Sequence, residues 1–155
     1  MEMTYKDFGM FFKFFTSWSL MFGIIALATN TFSSIKVAMA INIIICSIFG
    51  TIMMSHYSKE LSIFYSKSEF FIKHVDIYMH YIIPLFLVSA LLYKLKPYDL
   101  GRAILYSFFS VILYTTLVDA KKQYGNIDIL NIIFFLLPLF IVILHLLFYA
   151  ITKYV

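Results

Sequence analysis

Apolar runs long enough to cross a lipid bilayer recur along this chain, and they constrain its fold more than any other feature. A transmembrane helix needs about 20 predominantly apolar residues. Of the 155 residues, 63% are hydrophobic and only 13% are charged. The sequence therefore predicts one all-α integral membrane domain over residues 1–155, a polytopic transmembrane helix bundle. Five spans are predicted, at residues 14–29 (or 8–29, if Lys13 extends its amine to the interface), 37–54, 74–92, 102–118 and 129–151.

Residues 57–72 have an amphipathic pattern instead of a continuous apolar one. Apolar and aromatic side chains recur at helical spacing, while serine, lysine and glutamate side chains occupy the opposite face. A helix of this kind lies in the plane of the membrane interface rather than across the bilayer. The sequence therefore predicts one interfacial helix between the second and third spans of a multi-pass membrane protein.

The formal net charge of +4 comes from basic residues scattered over loops and helix ends. This distribution favours contact with anionic lipid headgroups over nucleic-acid binding, which typically needs a basic cluster. The single cysteine, Cys46, excludes an intrachain disulfide, and no Cys, His and carboxylate group has metal-site spacing. His145 is predicted to lie roughly 15 Å deeper than His80, which argues against a bis-histidine haem. Membrane lipids are the expected partners; no cofactor, metal ion or nucleic acid is predicted.

The third predicted span carries three residues that are unusual inside a membrane. Asp76, His80 and Pro84 follow one another at intervals of four, so they share one face of a helix. Proline also removes a backbone hydrogen bond and crowds the carbonyl four residues earlier, which belongs to His80. Ionisable groups in a membrane span indicate a functional site. The alternative is that a histidine near a helix end extends its ring to the polar interface without a functional role. We expect the helix to be disturbed between His80 and Pro84.

Estimates of depth in the membrane predict that the hydroxyl of Thr16 lies close to His80. Counted from the same side of the membrane, Thr16 lies at roughly 12 Å if the first span begins at Phe8, His80 at roughly 9 Å and Tyr114 at a similar depth. One shallow pocket is therefore predicted to collect Thr16, His80, Asp76 and Tyr114. A hydroxyl beside an imidazole that a third group orients is the minimum for nucleophilic acyl chemistry, with Tyr114 or Ser110 as candidate oxyanion donor. The alternative is that small hydroxyl residues simply pack transmembrane helices closely.

Two segments resemble a known family. KFFTSWSLMFGIIAL at residues 13–27 is similar to the threonine-containing helix of the androgen-induced family of integral membrane hydrolases and its bacterial relatives. MHYIIPLFLVSALLY at residues 79–93 resembles the histidine helix of that family, in which proline follows the histidine after four or five residues. The segments IFGTIMMSHY and SFFSVILYTTLV also fall in the family's order. The resemblance covers roughly residues 13–129.

The resemblance implies an activity. In that family a threonine and a histidine within the membrane are the proposed catalytic pair, and the substrates are fatty acid esters of hydroxy fatty acids. The matching positions here are Thr16 as nucleophile and His80 as base, with Asp76 expected to orient the ring. The chain departs from the family at residues 123–128, where QYGNID replaces the aromatic-proline motif before the last span.

A second interpretation is an accessory structural subunit of a larger membrane complex, such as an organellar respiratory complex. The aromatic content of 20% and the lack of a predicted soluble domain suit a protein that fills space between membrane partners. Small-solute transport is less favoured, because no paired broken helices or inverted repeat are evident. The two main interpretations differ in their partners, since a hydrolase acts on lipids and a subunit is covered by other proteins.

Overall fold

The computed structural model describes residues 15–118 and 129–154, and every regular element in these ranges is helical, which confirms the predicted all-α bundle. In chain order the elements are α1 (Phe15–Ala28), α2 (Ser33–Phe64), α3 (Glu69–Ile77), a π-helical turn (Tyr78–Ile82), α4 (Ile83–Leu92), α5 (Leu100–Leu117) and α6 (Ile129–Tyr154). Because α3, the π-helical turn and α4 follow one another without interruption, they form one long helical segment.

Four helical segments are long and apolar enough to cross a membrane. They are Ser33–Ile63, Glu69–Leu92, Leu100–Leu117 and Ile132–Tyr154. α1 is a shorter apolar helix, with 14 described residues. These five segments correspond to the five predicted spans, and the architecture is that of a multi-pass integral membrane protein. The predicted start of the first span, at residue 8 or 14, lies outside the described residues.

The amphipathic stretch is divided between two helices. α2 leaves helical geometry at Tyr57 (φ −126°, ψ 15°), and residues 58–64, here called the α2 arm, continue beyond this kink. A turn at residues 65–68 separates the arm from α3, whose N-cap Ser68 accepts a hydrogen bond from the Phe71 amide at 3.2 Å. The helix predicted over residues 57–72 therefore begins at the kink but ends at Phe64, because the Ser68 cap starts a new helix.

α2 is the central helix of the bundle. Of its span, 56% is buried within the protein, against 17–22% for the other three spans. A helix that is apolar all round is typically enclosed by others, and α2 carries apolar clusters on two sides. One joins α1, α2 and α4 through Leu20, Ala26, Ala38, Met39, Ala40, Ile43, Leu87 and Leu91. The other joins α2, α5 and α6 through Val37, Ile41, Ile45, Ala103, Leu137 and Ile141.

The close approach of α1 to α2 and α4 depends on Gly23. A Cβ atom at this position would lie 2.9 Å from Cδ1 of Ile43 and 3.0 Å from Cδ2 of Leu87. Both contacts are shorter than carbon atoms normally tolerate, so a side chain there would require Ile43, Leu87 or α1 itself to shift. Gly23 thereby sets how deeply α1, which carries Thr16, seats against its neighbours.

We expect Gly23→Val to destabilise the fold by about 1–3 kcal/mol, since extra methyl groups overpack a filled contact. The single tryptophan, Trp18, lies on the same helix and reports unfolding through its fluorescence during denaturant titration in detergent. Gly101→Val is the matched control, because Gly101 is exposed and its nearest contact for a Cβ lies at 3.4 Å. Equal stability of the two variants would contradict the packing role of Gly23.

Candidate active site

The long helical segment that carries the candidate histidine is widened just before Pro84. Proline has no amide hydrogen and its ring crowds the carbonyl of His80, so regular α-helical bonding cannot continue through this turn. The structure accommodates it with the π-helical turn Tyr78–Ile82, which contains His80. The irregular turn overlaps the predicted His80–Pro84 stretch at residues 80–82 but begins earlier, at Tyr78. Such π-helical turns are rare and occur frequently at functional sites.

Thr16, His80 and Asp76 form a continuous chain of hydrogen bonds. Thr16 Oγ1 lies 2.9 Å from His80 Nε2, and His80 Nδ1 lies 2.7 Å from Asp76 Oδ1. The side chains of His80 and Asp76 are only 16% and 11% exposed, and Thr16 is buried. The structure thus brings together three of the four residues predicted to share a pocket.

The direction of these bonds follows from the chemistry of the groups. An ionised carboxylate only accepts hydrogen bonds, so His80 donates from Nδ1–H to Asp76. Nε2 is then the unprotonated nitrogen, and it accepts the hydroxyl hydrogen of Thr16. This tautomer is the one that a general base needs, since its free nitrogen faces the hydroxyl to be deprotonated.

The lack of a side chain at Gly50 of α2 makes room for the imidazole ring of His80. A Cβ atom at Gly50 would lie 2.3 Å from His80 Nε2 and 2.4 Å from its Cδ2. The ring therefore rests directly against the α2 backbone, where only glycine leaves room. Sequence reasoning missed this residue, although a glycine inside an apolar helix is itself a signal, because it costs about 1 kcal/mol relative to alanine and usually has a packing reason.

A mostly apolar cavity of about 140 Å³ opens beside the hydrogen-bonded chain. The α2 arm and α3 cover one side with Leu61 and Phe71, and α6 contributes Phe134. The other lining residues are Phe15, Thr16, Ser17, Ile45, Cys46, Phe49, Gly50, Met53, Met54, Tyr65, Ile72, Val75, Asp76, Met79, His80, Ile133 and Leu137. Thr16, His80 and Asp76 thus meet a space whose walls suit a hydrocarbon chain.

The two predicted oxyanion donors lie elsewhere. Tyr114 is fully buried but is not among the residues that line the cavity; its ring packs 5.0 Å from that of Phe15 and 5.9 Å from that of Trp18. The Ser110 hydroxyl accepts from Asn42 Nδ2 at 2.6 Å and donates to the Ser107 carbonyl at 2.9 Å. Equal depth in the membrane did not imply a shared pocket, because depth says nothing about which way a helix face turns.

A second hydroxyl–imidazole pair lies between α5 and α6. Ser107 Oγ is 2.7 Å from His145 Nε2, and both residues are fully buried. The Ser107 hydroxyl also lies 3.3 Å from the Ala38 carbonyl of α2. Neither residue lines the cavity, so His145 belongs to a polar contact separate from the Thr16–His80 site.

No protein-family model, curated protein or solved structure matches the chain. The assignment of a function therefore depends on the geometry of Thr16, His80 and Asp76 and on the cavity beside them.

We expect His80 to carry its proton on Nδ1 in the folded protein. Nitrogen NMR of histidine-labelled protein in lipid should show this tautomer, assigned by the signal that His80→Gln removes. Gly50→Ala should shift the signal, because its methyl group displaces the ring from Thr16, whereas Gly101→Ala should leave it unchanged. A wild-type His80 protonated on Nε2 would contradict the acceptor role assigned to that nitrogen.

Proposed function

We propose that this protein is an integral membrane hydrolase that cleaves fatty acyl esters, with Thr16 as nucleophile and His80 as general base. The observation that carries the proposal is the chain Thr16–His80–Asp76, with successive distances of 2.9 and 2.7 Å, at the wall of an apolar cavity. A nucleophile bonded to a base, and a base oriented by a third group, is the arrangement that recurs on unrelated folds for acyl transfer.

The chemistry divides into acylation and deacylation. Thr16 Oγ1 attacks the ester carbonyl carbon while its proton moves to His80 Nε2, and Asp76 stabilises the resulting imidazolium. The tetrahedral intermediate collapses, the bond from carbon to the leaving oxygen breaks, and His80 returns the proton to the departing alcohol. Water then attacks the carbonyl carbon of the acyl-threonine and loses a proton to His80 Nε2. The bond from this carbon to Thr16 Oγ1 breaks, His80 returns the proton to Oγ1, and the fatty acid leaves.

The walls of the cavity support an acyl substrate. Most of the lining residues are aliphatic, aromatic or methionine side chains, and three of the polar ones, Thr16, His80 and Asp76, are hydrogen-bonded to one another. A hydrocarbon chain in such a space removes apolar surface from water, while the ester group remains the only part that needs polar contacts. The resemblance to the androgen-induced family supports the same class, since its intramembrane threonine and histidine match Thr16 and His80.

The accessory-subunit alternative has no specific structural observation in its favour. Large apolar side chains are exposed along the described helices, among them Phe86, Phe109 and Phe135. Lipid tails cover such side chains as well as protein partners do. Purification in mild detergent separates the cases: a hydrolase remains active as an isolated chain, whereas a subunit is recovered in a stoichiometric assembly with other proteins.

Thr16→Ala and His80→Ala should each lower turnover of a long-chain fatty acid ester of a hydroxy fatty acid by on the order of 10³-fold or more. The double variant should lose little beyond either single variant, because members of one catalytic unit are not additive. Steady-state kinetics on purified protein measures this, with Thr29→Ala as control for the loss of a threonine hydroxyl outside the site. Activity retained in Thr16→Ala would refute the nucleophile.

Asp76→Asn should retain more activity than loss of the nucleophile leaves, with kcat lowered on the order of 10²-fold. An asparagine keeps the size of the side chain but cannot offset the charge of the imidazolium, and it is able to donate to Nδ1 and reverse the tautomer. The measurement is kcat with the same ester, alongside Trp18 fluorescence to verify the fold. An unchanged kcat would remove Asp76 from the mechanism.

A further inference from the structure

The proposed acyl transfer places a negative charge on the carbonyl oxygen of the substrate, and that charge needs a hydrogen-bond donor. Donors aimed at this oxygen are usually among the largest contributors to catalysis. Amides within a helix are already bonded to carbonyls one turn earlier. Tyr114 and Ser110 lie elsewhere, and His80 Nε2 is occupied in receiving the proton of Thr16. A side-chain hydroxyl at the cavity wall is another source of such a donor.

Ser17 has the properties of such a donor. It follows Thr16 directly on α1, lines the same cavity and is 9% exposed. Its Oγ is buried without a hydrogen-bond partner among the described residues. Buried hydroxyls in native proteins are nearly always paired, so an unpaired one calls for an explanation such as a catalytic role.

Comparison with other helical hydroxyls shows that Ser17 is unusual. A serine or threonine in a helix commonly bonds to the carbonyl one turn earlier. Ser47, Thr51 and Ser89 all do so, at 3.0, 2.7 and 2.6 Å respectively. Ser17 Oγ has no hydrogen-bond partner among the described residues, so no acceptor there holds its hydroxyl hydrogen.

We propose that the Ser17 hydroxyl donates a hydrogen bond to the oxyanion formed when Thr16 attacks the ester; this inference rests on the proposed hydrolase function. Successive residues on a helix diverge by about 100° around the axis. Ser17 therefore projects from α1 in a different direction from Thr16, which contacts His80, while lining the same cavity. Ser17 keeps its own proton throughout and forms no covalent bond.

The donor bond strengthens as charge develops on the oxygen, so its loss affects the transition state more than the bound ester. Ser17→Ala should lower kcat by about 10²–10³-fold with KM little changed. Ser17→Thr keeps the hydroxyl and should recover much of the loss. Ser19→Ala is the matched control: Ser19 lies on the same helix, its hydroxyl pairs with Cys46 Sγ at 3.4 Å, and it does not line the cavity.

A second measurement does not depend on turnover. A long-chain alkyl boronic acid forms a tetrahedral adduct with a nucleophilic hydroxyl and places an oxygen where the oxyanion forms. Its inhibition constant should rise in Ser17→Ala by a factor comparable to the fall in kcat. Ser17→Cys, which is nearly isosteric but a weak donor, should show the same trend if Ser17→Ala proves too unstable to purify.

The results separate this inference from the proposed function. Wild-type turnover that Thr16→Ala abolishes, together with an unchanged kcat in Ser17→Ala or Ser17→Cys, would overturn the role of Ser17 and leave the hydrolase intact. Equal losses in Ser17→Ala and Ser17→Thr would also overturn it, because the second variant retains the donor. A wild-type protein without ester turnover would overturn both proposals together.

Discussion

Pairing of polar side chains inside an apolar bundle is the constraint on which the rest of this structure depends. A carboxylate or an imidazole without a partner is costly in such surroundings. The chain Thr16–His80–Asp76 satisfies these groups and at the same time joins α1 to the segment that contains the π-helical turn. On another side of α2, Asn42 bonds to Ser110 of α5, whose neighbour Ser107 pairs with His145 of α6. The central helix is thus flanked by two polar contacts.

These two contacts contain the same pair of groups, a hydroxyl and an imidazole, yet their surroundings differ. His80 is oriented by Asp76, whereas His145 Nδ1 has no partner among the described residues. Thr16 lines a cavity, whereas Ser107 is fully buried and lines none of it. The Ser107–His145 pair is fully buried, has no orienting carboxylate among the described residues, and joins α5 to α6 by a hydrogen bond.

Many features of this structure could be predicted from the sequence. Physical reasons explain why the others could not. Apolar run length predicted the spans, because the thickness of the bilayer sets it. Spacing of four placed Asp76 and His80 on one face, because that geometry belongs to a single helix. Tyr114 and Gly50 could not be placed, since the rotation of one helix against another depends on side-chain packing. The division of residues 57–72 depended on a local cap at Ser68, which periodicity does not register.

Three of the positions where the sequence departs from good helix formation lie close to His80 or on a helix that contacts it. Pro84 disrupts the helix that carries the ring, at a typical cost of about 3 kcal/mol, and Gly50 opens the facing helix, at about 1 kcal/mol relative to alanine. Ser17 adds a buried hydroxyl without a partner, on the helix that carries Thr16. Each of these three features, taken alone, lowers the stability of the helix bundle. Natural sequences depart from local consistency mainly at functional sites. Three such departures lie on three helical segments that line one cavity, and this grouping supports the chemistry proposed for His80.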